Sequence, residues 1–337
     1  PVWAAALDWR DYLLTVLKIH FPGKDEFAVA AALLLGYKAA LSDELRASYA
    51  DTGSMHILAV SGTHVGLLYV GLLVVLNRIP WRGRLRRWGE TGLVLTGIWA
   101  FTLVTGATAS VMRASVMFTT YVLGKAIRRQ ASVWNILGAS AFGLLLLNPY
   151  FLFDAGFHLS SSALAGTVCF YKKKKKITPT LPKWAASGWD ILLIGIAAQL
   201  GTLPLSLYYF HQFPVYFWLA GWVVVLGGAV FLWGGFLLVL LHGLAPAAAA
   251  MLGWALYHWI WAMNRAIVAI QQLPGNVWSG IWIEAWPACI LGVFTCLFAW
   301  LSARRTTRGV LASLILLAVL AAGFAGQTIA NIRPKQI

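Results

Sequence analysis

From residue 54 onward the chain is a succession of apolar runs, each close to the thickness of a lipid bilayer and set off by short polar or basic stretches. About 20 helical residues cross a hydrocarbon layer of about 30 Å. A chain patterned this way is expected to be all-α: a polytopic membrane bundle of about ten helical spans. The runs fall at 54–77, 88–105, 110–126, 132–147, 151–171, 189–207, 215–241, 248–271, 286–302 and 309–326. Composition agrees, with 60% hydrophobic and only 11% charged residues, against about 25% charged in an ordinary soluble domain. Residues 1–50 mix Leu and Val with Asp, Glu, Lys and Arg, and read as amphipathic helices lying along the membrane or capping the bundle. The domain reading is therefore 1–50 interfacial helices, 51–330 a transmembrane domain and 331–337 a tail. The chain begins at Pro1 without a signal-peptide pattern, so a piece of a longer protein is expected.

A net charge of +15 invites a polyanion as partner, but its distribution has a simpler source. Basic residues gather at Arg78, Arg82, Arg84, Arg86 and Arg87, at Lys125, Arg128 and Arg129, at Lys172 to Lys176 with Lys183, and at Arg304, Arg305 and Arg308. These are the first, third, fifth and ninth connections, while the second, fourth and sixth carry no Lys or Arg. Basic loops stay in the cytoplasm, which places both ends of the segment outside it. Trp81, Trp88, Trp184, Trp189 and Trp300 fit interfacial aromatic belts. Cys169, Cys289 and Cys296 lie in apolar runs without CxxC spacing and read as small buried side chains. No HExxH, Walker lysine loop or metal-spaced Cys/His set is present. No metal or cofactor is expected.

Four constellations place polar groups where lipid gives them no partner. In the first, Ser61 and His64 are spaced i, i+3 on one helix face, with Gly62 and Gly66 beside them as a candidate helix break. They serve either as interhelical hydrogen-bonding groups or as the lining of a path, with catalysis the remote option. In the second, Thr105-Gly106 leads through Ser110 to Arg113-Ala114. Arg113 stays charged, and either snorkels to the interface or faces a polar interior. In the third, Asn148-Pro149 turns the chain before Asp154, Gly156-Phe157 and His158. Asp154 either caps that helix or pairs with Arg113. In the fourth, Gln199 and Gly201 precede Pro204, a candidate kink, and the segment Tyr208 to Pro214.

In this order the four constellations resemble the signatures of the ComEC competence family, in its transmembrane competence domain. Ser61-Gly62-x-His64, Thr105-Gly106 with Ser110 and Arg113-Ala114, Asn148-Pro149 with Asp154, Gly156-Phe157 and Leu159-Ser160, and Gln199 with Gly201 and Pro204 carry it. The chain departs from the usual pattern at Thr63, His158, Gly221, Leu226 and the pentalysine. The resemblance implies a non-enzymatic inner-membrane channel that passes single-stranded DNA into the cytoplasm during natural transformation. It also implies external oligonucleotide-binding and nuclease domains in the full-length protein, and a cytoplasmic ATPase motor, since this chain has no nucleotide-binding motif. Ser61, His64, Ser110, Arg113, Asp154, His158 and Gln199 would then line the DNA path. Gly62, Gly66, Gly106, Pro149, Gly156 and Pro204 would break or pack helices. Membrane lipids are the other expected partner. Two other classes stay open: an intramembrane serine hydrolase built on Ala59-Val60-Ser61-Gly62, loosely similar to rhomboid peptidases, and a transporter of a smaller anion or lipid.

Overall fold

A computed structural model describes residues 2–79, 83–129, 132–171, 182–283, 286 and 289–295. The pentalysine, Arg82, Arg304, Arg305, Arg308, Cys296, the 309–326 run and the 331–337 tail lie outside the described residues, as do the side chains of Arg84 and Lys183. The described chain is all-α apart from two three-residue strands. Its helices are α1 (Val2–His20), α2 (Lys24–Leu35), α3 (Asp43–Asp51), α4 (Met55–Leu58), α5 (Gly62–Leu76) and α6 (Gly83–Val104). They continue with α7 (Ala109–Ala126), α8 (Val133–Leu147), a 3-10 turn (Pro149–Phe153), α9 (Ala155–Phe170), α10 (Lys183–Phe210), α11 (Phe217–Leu244) and α12 (Pro246–Gln271). The strands β1 (Gln212–Pro214) and β2 (Val277–Ser279) form a two-stranded sheet.

Among the described residues, Gly188–Phe210 within α10 and the whole of α11 are long and apolar enough to cross a membrane by length and composition. α5 and α8 are apolar but shorter, at 15 residues each. Helix length alone therefore does not establish ten crossings.

The chain divides into two compact units, the first comprising 1–158 and 214–278, the second 159–213 and the residues from 279 onward. In the first, α2 forms the centre of the larger core. Ala28 to Leu35 are all buried, between 0% and 3% exposed, among side chains of α1, α11 and α12. Within residues 1–50, α2 is thus enclosed, whereas α1 keeps Trp3, Trp9, Tyr12 and Ile19 exposed. The charges of α2 sit in its first turn, and the eight residues that follow are apolar on every face, as in a helix enclosed on all sides. Hydrogen bonds tie the neighbouring α3 to α12: Tyr49 Oη donates to Asn264 Oδ1 at 2.8 Å, and Ser48 Oγ to Gln271 Oε1 at 2.7 Å. Burial pushes the Tyr49 hydroxyl pKa up.

A second core in the same unit joins α5, α6 and α7 through Val65, Val94, Ile98, Val111 and Ala114. A Cβ on Gly62 would lie 3.6 Å from that of Ala114, one on Gly66 would lie 3.4 Å from the Phe118 ring, and the Tyr69 and Tyr121 rings are 6.0 Å apart. These contacts advance together along both chains, so α5 and α7 run parallel in a fixed register. Polar side chains bond α6 to α7 across the core, with Thr102 Oγ1 2.6 Å from Ser115 Oγ and Trp99 Nε1 donating to Thr119 Oγ1 at 3.1 Å.

In the second unit α9 and α10 meet backbone to backbone. A Cβ on Gly166 would lie 2.5 Å from the Ala197 carbonyl oxygen and 2.8 Å from Gly201 Cα, and one on Gly201 would overlap the Ser162 carbonyl. Ser162 with Gly166, and Ala197 with Gly201, are small residues four apart, the spacing that lets helices approach closely. α10 continues as helix through Pro204.

Candidate functional site at a helix break

α4 ends at Leu58 and α5 begins at Gly62, and between them Ala59 (φ −92°, ψ 125°) and Ser61 (φ −122°, ψ 175°) are extended. The break is held by its own side chains. The Ser61 N–H donates to His64 Nδ1 at 3.2 Å, the Ser61 hydroxyl lies 3.0 Å from the same nitrogen, and Thr63 Oγ1 lies 2.6 Å from Ser61 Oγ. This satisfies a helix-terminal N–H that the interruption would leave unpaired. His64 is 1% exposed. Because a backbone N–H donates to Nδ1, that nitrogen carries the lone pair, and the neutral ring holds its proton on Nε2. Nε2 is buried without a partner among the described residues, an arrangement that costs about 1–3 kcal/mol and calls for an explanation.

The flank of the break is set by Gly36, at the end of α2. Its φ of +70° lets the Gly36 and Tyr37 N–H groups close the helix on the Ala32 and Ala31 carbonyls. A Cβ there would lie 3.1 Å from Val60 and 3.2 Å from the Thr105 carbonyl oxygen. The broken segment and the Thr105-Gly106 turn thus converge on one glycine. Gly106 (φ +83°) and Ala107 (φ +48°) reverse the chain from α6 into α7. Ser110 follows in the first turn of α7, half-buried.

Arg113 lies one turn further along α7 and is 5% exposed. Its Nη1 donates to the carbonyl oxygens of Gly156 at 3.2 Å and Phe157 at 3.3 Å, in the first turn of α9. Asp154 accepts the Phe157 N–H at 2.8 Å, and therefore caps α9. Gly156 leaves room for that carboxylate, since a Cβ there would lie 2.9 Å from Asp154 Oδ1. Among the described residues no carboxylate comes within 4.0 Å of the Arg113 guanidinium. Asn148 Oδ1 accepts the Tyr150 N–H at 3.0 Å, so the turn at Pro149 is closed by its own side chain.

Ser61, His64, Ser110, Arg113, Asp154 and His158 belong to the first unit, and Gln199 to the second. Gly62 against Ala114 sets the His64 segment beside the Arg113 segment, and Arg113 reaches the helix that Asp154 caps. Gln199 stands two residues before Gly201 on α10, at the close approach to α9. Two contributors went unread in the sequence. Gly36 is marked there only as a glycine ending an apolar run, and the Thr102–Ser115 pair only as two hydroxyls inside apolar spans. Among the described residues no group of three His, Cys, Asp or Glu side chains is placed to hold a metal.

Comparison with known proteins covers most of the chain. A family model described as "Competence protein" matches residues 33–305. The chain is 31% identical over 209 residues to ComE operon protein 3 of Bacillus subtilis, covering 62% of this chain and 25% of that protein. It is 25% identical over 190 residues to the uncharacterized protein YcaI of Escherichia coli, covering 55% and 25%. It is 26% identical over 198 residues to an uncharacterized protein of Aquifex aeolicus, covering 58% and 44%. The matched segment thus spans a quarter to under a half of these relatives' length. No solved structure matches. A match over residues 33–305, containing all four constellations, is decisive: the chain belongs to the competence protein family.

Proposed function

We propose that this chain is the membrane-spanning part of a DNA-uptake channel, passing a single strand into the cytoplasm during natural transformation. Family membership supports the general role. The observation that carries the channel reading is Arg113, buried and held by carbonyl oxygens, with no carboxylate among the described residues within ion-pair distance of 4.0 Å. An arginine locked in a close ion pair has little to offer a phosphate, whereas this one is held by backbone carbonyls alone, and the neighbouring α5 carries a second unused donor, His64 Nε2. A strand with one phosphate per nucleotide requires contacts weak enough to release, and one cation at a constriction meets that need better than a cluster would.

On this reading the apolar runs form about ten spans of an inner membrane with both termini of the segment outside. The apolar exterior supports it. Phe142, Leu146 and Leu147 on α8 are 66%, 69% and 71% exposed, and Met251 and Trp254 on α12 are 76% and 68% exposed. Apolar area on that scale is meant to be covered. Ser61, Ser110, His158 and Gln199 supply neutral hydrogen bonds along the path. External oligonucleotide-binding and nuclease domains and an ATPase motor belong to the complete system. The test is Arg113→Ala at native expression: transformation falls sharply while the amount of protein in the membrane is unchanged. Undiminished transformation overturns the role.

The contact between the Ser61 hydroxyl and His64 Nδ1 at 3.0 Å favours a second reading, a serine hydrolase. The same nitrogen already accepts the Ser61 N–H, so its lone pair is shared with a structural bond. Covalent labelling of Ser61 by a fluorophosphonate would establish the hydrolase over the channel.

A further inference from the structure

The opposite end of the α5–α6–α7 group holds a different kind of site. A cavity of about 370 Å³ opens where the C-termini of α5 and α7 meet the N-terminus of α6. Arg86, Arg87 and Lys125 line it, with Glu90 as its one carboxylate. Arg86 Nη2 donates to Asn77 Oδ1 at 2.8 Å. Glu90 is shared loosely, 3.9 Å from Arg86 Nε and 3.7 Å from Lys125 Nζ, both longer than a charge-assisted hydrogen bond of about 2.7–2.9 Å. Arg87 Nε is buried without a partner among the described residues. Three cations thus face one anion around an open volume.

Tyr69, Leu73, Val94 and Val122 also line the cavity, and the same three helices carry exposed apolar side chains on their other faces. Val74 and Val75 on α5 are 54% and 65% exposed, Leu93 on α6 46%, and Leu123 on α7 41%. Trp88, whose ring centroid lies 6.0 Å from the Arg87 guanidinium carbon, is 45% exposed. A free phosphate or a nucleic-acid strand uses the cations but not these flanks. A phospholipid uses both, with its phosphate among Arg86, Arg87 and Lys125 and its acyl chains along α5 and α7. The residues belong to the basic connections that charge alone assigns to the cytoplasmic side, where anionic lipid headgroups bind such pockets.

We infer that the Arg86–Arg87–Lys125 cavity is a binding site for the headgroup of an anionic phospholipid. It rests on the membrane-spanning reading above, but its test does not involve DNA transport. The full chain, purified in detergent, is titrated with dioleoyl-phosphatidylglycerol and followed by native mass spectrometry. Dioleoyl-phosphatidylethanolamine, inorganic phosphate and a short oligothymidylate serve as competitors. The expected result is saturable binding of the anionic lipid that none of the three competitors displaces. Arg87→Gln and Lys125→Gln each weaken it about fivefold, and the exposed-charge control Lys18→Gln leaves it unchanged. Glu90→Gln tightens it, a gain that misfolding does not mimic. Equal affinity in wild type and in all three cavity variants overturns the site. Displacement by inorganic phosphate overturns the lipid assignment in favour of a simple anion pocket, and displacement by oligothymidylate overturns it in favour of a contact on the DNA strand.

Discussion

The two ends of the α5–α6–α7 group answer the same problem, a cation in an apolar setting, in opposite ways. At the helix break a single arginine is buried to 5% exposure and fixed by two carbonyl oxygens, and among the described residues no carboxylate lies within 4.0 Å of it. At the other end three cations surround one carboxylate at distances of 3.7 and 3.9 Å to its neighbours, around open volume. Carbonyl oxygens solvate a guanidinium without cancelling its charge, whereas a carboxylate cancels it. On the proposed reading the first end passes an anion, and the second, where three cations outnumber one carboxylate, keeps one. The 15 residues of α5 between them span about 22 Å of helix axis.

The largest effect that would break this contrast is at Arg113. Arg113→Ala should lower transformation about a hundredfold, the scale of one lost charged contact, with membrane levels unchanged on immunoblots. If Arg87→Gln gives the same loss and Arg113→Ala gives none, the roles of the two ends are reversed. Next is Gly62→Leu, which inserts a side chain where even a Cβ would touch Ala114. It should cost about 1–3 kcal/mol, seen as a lower midpoint in thermal unfolding, and should depress transport with Arg113 intact. His64→Ala leaves the Ser61 N–H without its acceptor and should cost about 1–2 kcal/mol by the same measurement. Glu90→Gln should change stability by under about 0.5 kcal/mol, since its ion pairs are loose and partly solvated. A large loss there would mean that the basic end is structural rather than a receptive site.

A smaller, pH-dependent effect belongs to neither end. His20 Nε2 lies 3.2 Å from His242 Nδ1, and burial, then the charge of His242, lower the His20 pKa below its usual 6.5. The folded state thus favours the neutral ring. Its contribution is full above about pH 6.5 and is lost as pH falls toward the lowered folded value. The unfolding midpoint should drop modestly between pH 7 and pH 5, and His242→Gln should flatten that slope. A slope unaltered by His242→Gln would move the acid sensitivity to another group.

Helix positions were readable because apolar runs of this length leave the backbone few alternatives, and α6 to α12 fall close to the runs at 88–271. The placement of α2 was not readable. Its Lys24-Asp25-Glu26 start suggested a surface, and only the surrounding helices reveal that the run after it is enclosed. The sequence left Asp154 open between capping and pairing, because both use the same carboxylate; the partner of Arg113 is a pair of backbone carbonyls, which no residue type announces. The basic cavity was legible as clustered charge but not as a cavity. Glu90 and Arg86 are four apart on one helix, while Lys125 joins them only through the packing of α6 on α7.

The Gly166–Gly201 approach has a mechanical consequence. Interfaces built from interleaved side chains can slip by a rotamer; one in which carbonyl oxygens and Cα atoms already touch has no slack to give. α9 and α10 therefore move as a single stiff piece, and the direction of Gln199, two residues from the contact, is set by backbone rather than by side-chain fit. Whatever in this protein opens or closes, the hinge lies elsewhere than between those two helices.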